Sequence, residues 1–172
     1  MYKRQGPHFS SFVGFVVKYW ERELGRPFTR EDMEDATWDW YQTALNLSAA
    51  DFLLAVEDAQ RLTRRIACWY RDNAVDVLLT PTLVVPPVEI GAFTPDPEAP
   101  GQWLLDILSL VAFTYVYNLT GQPAASVPLH WNDAGLPIGM QFIGPYGDEA
   151  TLFRLAAQLE HCLLYTSPSP RD

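Results

Sequence analysis

AASVPLHW (Ala124–Trp131), NDAG (Asn132–Gly135), Leu136 and PIGMQFI (Pro137–Ile143) form the stretch that decides the fold. Two runs rich in β-branched and aromatic residues flank four residues of turn chemistry, in which Asn and Asp bond their own backbone and Gly accepts positive φ. The pattern predicts two strands, Ala124 to Trp131 and Pro137 to Ile143, joined as a hairpin. Downstream, Asp148-Glu149 open a helix whose Leu152, Leu155, Ala156 and Leu159 share one face. Upstream, Trp103 to Tyr117 carries no charge but Asp106, which predicts a buried helix. Asn118-Leu119-Thr120-Gly121-Gln122-Pro123 should break it, Gly121 by adopting positive φ and Pro123 by preventing continuation. Further upstream, Asp76-Val77-Leu78-Leu79-Thr80 reads as a strand buried on both faces. It stops at Pro81, and Pro86 and Pro87 begin a loop rich in Pro and Gly that reaches about Gly101.

Before Asp76 the chain is helical. Ser10 or Ser11 is placed to cap a helix with Phe12, Phe15, Val16, Tyr19 and Trp20 in helical period, ending at Gly25. Thr29-Arg30-Glu31-Asp32 starts a second helix carrying Met33, Trp38, Tyr41 and Leu45. Ser48, with Asp51 three residues on, caps a third that runs to about Asn73, with Phe52, Ala55, Val56, Ala59, Leu62, Ile66 and Trp69 on its core face. Helices, a buried strand, a hairpin and a covering helix make an α/β layered fold. Three strands are too few to bury this much apolar helix, so the sheet is expected to be incomplete.

The composition is that of a globular protein: 172 residues, 48% hydrophobic and 19% charged. A net charge of −9 excludes a phosphate-binding surface of clustered Lys and Arg, so no nucleic-acid partner is expected. No apolar run has the roughly 20 residues that span a bilayer. Two cysteines, Cys68 and Cys162, give no disulfide framework, and Cys68 is expected in buried packing. The two ends read as foreign. CLLYTSPSPRD at Cys162–Asp172 resembles a translated sequencing adapter, and MYKRQ at Met1–Gln5 its opposite strand, so the natural segment is expected at 6–161.

The common catalytic patterns are missing from this sequence. It has no Gly-rich phosphate loop, no Gly-x-Ser-x-Gly elbow and no His-Glu-x-x-His helix. His130, beside Trp131 at a strand end, reads as an edge histidine, and Asp76 as a residue that caps or pairs with backbone. No metal site and no cofactor are expected. The residues describe a scaffold without a nucleophile or a base.

Five pieces in fixed order carry a resemblance: DVLLTPT at Asp76–Thr82, then Pro86-Pro87 with Gly91, FTYVYNLTGQPAASVP at Phe113–Pro128, GLPIGMQFIG at Gly135–Gly144, and DEATLFRLAAQLE at Asp148–Glu160. Together they resemble the C-terminal part of the amidase-signature family, and among its members bacterial amidases of the nylon-oligomer-hydrolase type. The resemblance implies a mixed sheet covered by helices, with 6–161 as the C-terminal portion of a single amidase domain. It also implies hydrolysis of carboxylic amides by a Ser–cis-Ser–Lys triad. No residue here matches that triad, since Ser10-Ser11 is flanked by phenylalanines, so the catalytic residues are expected upstream and this chain is expected to be inactive alone. Thr82, Phe113, Tyr115 and Asn118 are the expected substrate-contacting residues, with Gly121 and Pro123 structural. The expected partner is a small-molecule amide, the expected location cytoplasmic, and a homodimer the candidate assembly. The A subunit of a glutamyl-tRNA amidotransferase is the nearest alternative. Members of that group tend to carry an acid seven residues before the matching asparagine, and Val111 stands there, which favours an uncharged amide. A non-catalytic interaction module derived from the same fold is the other alternative.

Overall fold

The computed structural model describes residues 6–93 and 102–164. The proposed adapter segment at the N-terminus, most of the one at the C-terminus, and the second half of the Pro/Gly-rich loop lie outside them. The described residues fall into two compact units, one from 6–62 with 102–103, the other from 63–93 with 104–164.

The first unit is helical, with α1 (Gly6–Leu24), a single 3-10 turn (Arg30–Asp32), α2 (Asp35–Leu45) and the first part of α3 (Ala49–Asp72). Ser10 and Ser11 do not cap α1; they lie within it, because the helix already begins at Gly6. Most of its aromatic residues lie off its packed face. Phe12 is 61% exposed, while Ser10 and Val17 are buried and Phe9 packs edge-on against Trp40 with ring centroids 4.7 Å apart. Gly14 lets α1 come close: a Cβ there would stand 2.8 Å from Ala44 Cβ, so α1 meets α2 along a small-residue ridge. Thr29 starts only the 3-10 turn, where its N–H donates to Asp32 Oδ2 at 2.8 Å. Met33 is extended and ends that turn, so the second helix begins later than expected, at Asp35. The cap of α3 is as expected: Asp51 N–H donates to Ser48 Oγ at 3.1 Å and Ser48 N–H to Asp51 Oδ2 at 3.0 Å.

The second unit holds the end of α3, then β1 (Leu78–Pro81), all but the first two residues of α4 (Gln102–Leu110), α5 (Tyr115–Thr120), β2 (Ala124–Trp131), β3 (Pro137–Ile143) and α6 (Glu149–Leu164). The strands are ordered β1-β3-β2, and both pairings are antiparallel. The hairpin strands span the residues expected. Asn132 Oδ1 fixes their turn by accepting from the Ala134 and Leu136 N–H groups at 3.1 and 2.8 Å. At the sheet's centre, Ile143 is fully buried and its carbonyl accepts the Tyr70 hydroxyl at 2.8 Å.

Leu79 is 51% exposed, in keeping with an incomplete sheet, because one face of β1 is uncovered by the described residues. Two expectations need correction. The apolar helix is two helices separated by a turn at 111–114, not a continuous buried rod. Donors from elsewhere divert its carbonyls: Val84 N–H bonds Leu110 O at 3.3 Å, Gln141 Nε2 bonds Phe113 O at 3.0 Å, and Thr114 Oγ1 competes for Val111 O at 3.2 Å. Cys68 is exposed, since the buried stripe of α3 runs through Ala55, Ala59 and Tyr70 and leaves Cys68 off it.

Candidate functional site

The sheet register gathers polar residues onto one face. Gln141 on β3 lies opposite Thr80 on β1 and Ser126 on β2, so the three form one row across the sheet. Side chains alternate along a strand, so the next row on that face holds Thr82 and Gly139. Thr82 continues the ladder past the end of β1, its N–H donating to Gly139 O at 2.9 Å. With no side chain at Gly139, Thr82 leans across it and its Oγ1 meets Ser126 Oγ at 2.6 Å. A Cβ at Gly139 would lie 2.8 Å from Thr82 Oγ1 and 3.0 Å from Ser126 Oγ.

The turn after α5 closes the other side. Gly121 takes φ 76°, the left-handed conformation expected of it, and its N–H donates to Tyr117 O at 2.9 Å, capping the helix. Residues 122–126 are thereby turned back along the sheet. A cavity of about 410 Å³ results, lined by Thr82, Asn118, Gln122, Ser126 and Gln141 together with Thr114, Tyr117 and two alanines. Gln141 is nearly buried and its Nε2 donates to Thr80 Oγ1 and Phe113 O, both at 3.0 Å, so its amide orientation is fixed. Gln122 is 5% exposed, and its carboxamide meets the hydroxyl of Thr120, whose single proton also serves Val116 O. Burial raises the phenol of Tyr117 above its ordinary pKa and keeps it neutral. No Asp, Glu, Lys, Arg or His is among the residues lining the cavity.

A family model described as Amidase matches residues 18–153. This chain belongs to the amidase family. Relatives include the 6-aminohexanoate-cyclic-dimer hydrolases of Paenarthrobacter ureafaciens and Pseudomonas sp. (strain NK87), 31% and 32% identical over 86% of this chain and 31% of their own length. The A subunit of glutamyl-tRNA(Gln) amidotransferase from Synechococcus sp. (strain CC9902) is 43% identical over 58% of this chain and 19% of its own. Among solved structures, 6-aminohexanoate cyclic dimer hydrolase complexed with substrate superposes with a TM-score of 0.82 at 28% identity, covering 94% of this chain and 35% of that one. The amidase chain therefore spans about a third of the length of the relatives it matches.

Of the four residues expected to contact substrate, the cavity brings Thr82 and Asn118 together. Phe113 offers the cavity's Gln141 its backbone carbonyl while its ring is partly exposed. Tyr115 is half-buried and its phenol is raised by burial, but it does not line the cavity. Ser126, Gln122 and Gln141 were not singled out as site residues. Gln141 had a signal: it is a carboxamide amid the apolar Met140, Phe142 and Ile143 of a strand, where a polar side chain needs a partner. Ser126 had none, because its partner Thr82 lies 44 residues away.

Proposed function

We propose that this chain is the C-terminal part of an amidase that hydrolyses uncharged carboxylic amides to acid and amine or ammonia. The observation that carries the reading is the uncharged, hydrogen-bonding cavity beyond the end of β1, in a chain of the amidase family. Strand ends are where α/β sheets hold ligands. Relatives named as hydrolases of 6-aminohexanoate cyclic dimer support it, since the cyclic dimer of an amino acid is closed by amide bonds. Thr82 and Asn118 form pocket wall, with Phe113 and Tyr115 behind them. A Ser–cis-Ser–Lys triad in the longer protein, before this chain, performs the acyl transfer. One serine attacks the carbonyl, the lysine manages the proton through the second serine, and backbone N–H groups hold the oxyanion. Val111, where an amidotransferase A subunit would carry an acid, favours a free-standing amidase, for which we propose a cytoplasmic location.

A paired assay tests this. The longer protein should hydrolyse hexanamide or the cyclic 6-aminohexanoate dimer and react with a fluorophosphonate, while the 172-residue chain does neither. Stoichiometric labelling of a serine within the 172 residues would refute the upstream triad. A longer protein inert towards every amide would leave the interaction-module reading in its place.

A further inference from the structure

We propose that Gln141 is a positioning residue of the candidate site, one that holds α5 in the phase that turns Asn118 toward the cavity. α5 has six residues, too few for a helix to hold itself in water. Its C-terminal end is fixed by the left-handed Gly121, whose N–H donates to Tyr117 O at 2.9 Å. Its N-cap, Thr114, makes no side-chain capping bond, so that end needs another anchor. Gln141 supplies it by donating to Phe113 O, the carbonyl just before the N-cap. The anchor is stiff. Both amide protons are used, on Thr80 Oγ1 and Phe113 O at 3.0 Å each, and the residue is 4% exposed on a strand paired along both edges.

The backbone bonds around the break show what the anchor controls. In an unbroken α-helix Phe113 O would accept the N–H of Tyr117, four residues on. Here the Tyr117 N–H bonds Thr114 O instead, only three residues back, at 3.2 Å. Phe113 O is left to Gln141, its one hydrogen-bond partner among the described residues. A three-residue turn advances each residue by about 120° around the axis, against about 100° in an α-helix, so it sets the face on which every later side chain emerges. Asn118 lies one residue past that turn and lines the cavity. Without the Gln141 donor, Phe113 O becomes free to take the Tyr117 N–H. That exchange runs α4 into α5 and rotates Asn118 away from Thr82. The importance of Asn118 to a substrate rests on the reading of this chain as part of an amide hydrolase; the coupling of Gln141 to α5 does not.

Two measurements test this. In the isotopically labelled 172-residue chain, Gln141→Met keeps the length of the side chain and loses both donors. It should close the gap at 111–114 in the helical Cα shifts and move the side-chain amide resonances of Asn118. Thr80→Val leaves Phe113 bonded but loosens the carboxamide, and should move the same resonances less. A folded Gln141→Met with the gap intact and Asn118 unmoved would overturn the proposal. So would an unmoved Asn118 in Thr80→Val, should Gln141→Met fail to fold. In the longer protein, Gln141→Met and Asn118→Ala should each lower kcat/KM for hexanamide at least tenfold. The double variant should lose no more than the larger single loss, because both changes remove the same contact. Losses that multiply, or a lower melting temperature with unchanged kcat/KM, would leave Gln141 a packing residue and overturn the proposal. A longer protein that turns over no amide refutes the hydrolase reading alone, and the Asn118 resonances then decide the role of Gln141.

Discussion

The helical unit and the sheet unit use glycine in the same way and obtain different things from it. Gly14 lets two helices approach until the small side chains of one ridge touch the other, and Phe12, Phe15 and Trp20 of α1 are left exposed. Gly139 lets two hydroxyls approach across a strand, and what lies above them is a cavity rather than a contact. The helical unit is otherwise tied by exposed ion pairs such as Arg26–Asp32 and Lys18–Glu21, each worth little in water. The sheet unit is tied by buried hydrogen bonds from Tyr70 and Gln141, which are costly to break. The lesson is that close packing in one unit serves cohesion, and in the other serves the placement of polar atoms.

The largest effect should come from the sheet's centre. Ile143→Ala is expected to cost about 2–5 kcal/mol, whereas Val17→Ala on α1 should cost about 1.5 kcal/mol. Chemical denaturation with amide exchange resolved by residue would measure both, and equal losses would erase the contrast between the units.

Tyr70→Phe sharpens it further. Removing the hydroxyl strands the buried Ile143 carbonyl, at a cost of about 1–3 kcal/mol. Tyr70 also gives the contrast a pH signature. Desolvation first, then the neighbouring Tyr117, push its phenol from 10.0 up to about 12. The folded state therefore holds the proton more tightly than the unfolded chain. That contribution is complete below pH 10 and is lost as pH rises towards 12. Melting temperature should fall over this window in the parent chain and fall less in Tyr70→Phe. Parallel curves would show that the phenol does not report on the sheet.

The smallest effect belongs to the helical unit. Ser48→Ala removes the cap of α3 and should cost about 1 kcal/mol, without altering hexanamide hydrolysis by the longer protein. A change in hydrolysis would mean that the cap acts beyond its own helix.

What the sequence revealed of this architecture was its local part. The hairpin is written in adjacent residues, with Asn132 supplying the turn bonds and alternation supplying the strands, and Ser48-x-x-Asp51 writes the start of α3 in the same way. The break at 111–114 was hidden because no Gly or Pro marks it; it arises from Val84 and Gln141, donors from distant segments. The close approach of α1 to α2 was not legible because hydrophobic periodicity weights phenylalanine over glycine, while steric approach weights glycine over phenylalanine. At the site, Thr82 and Asn118 stand out through the motifs that contain them. Ser126 enters only through the sheet register and Gln122 only through burial, neither of which a local pattern encodes.

The register of β3 also has a consequence in time. Its pairing with β2 closes across a short turn, an event that in hairpins takes about 1–10 μs. Its pairing with β1 joins Thr80 to Gln141 across 61 residues, and loop closure makes such long-range pairing the slower step. Thr82 rides on that late strand. Ser126 therefore waits on a finished hairpin, and the hydroxyl pair is completed only when β1 docks, so the contact that spans all three strands is among the last things the folding chain makes.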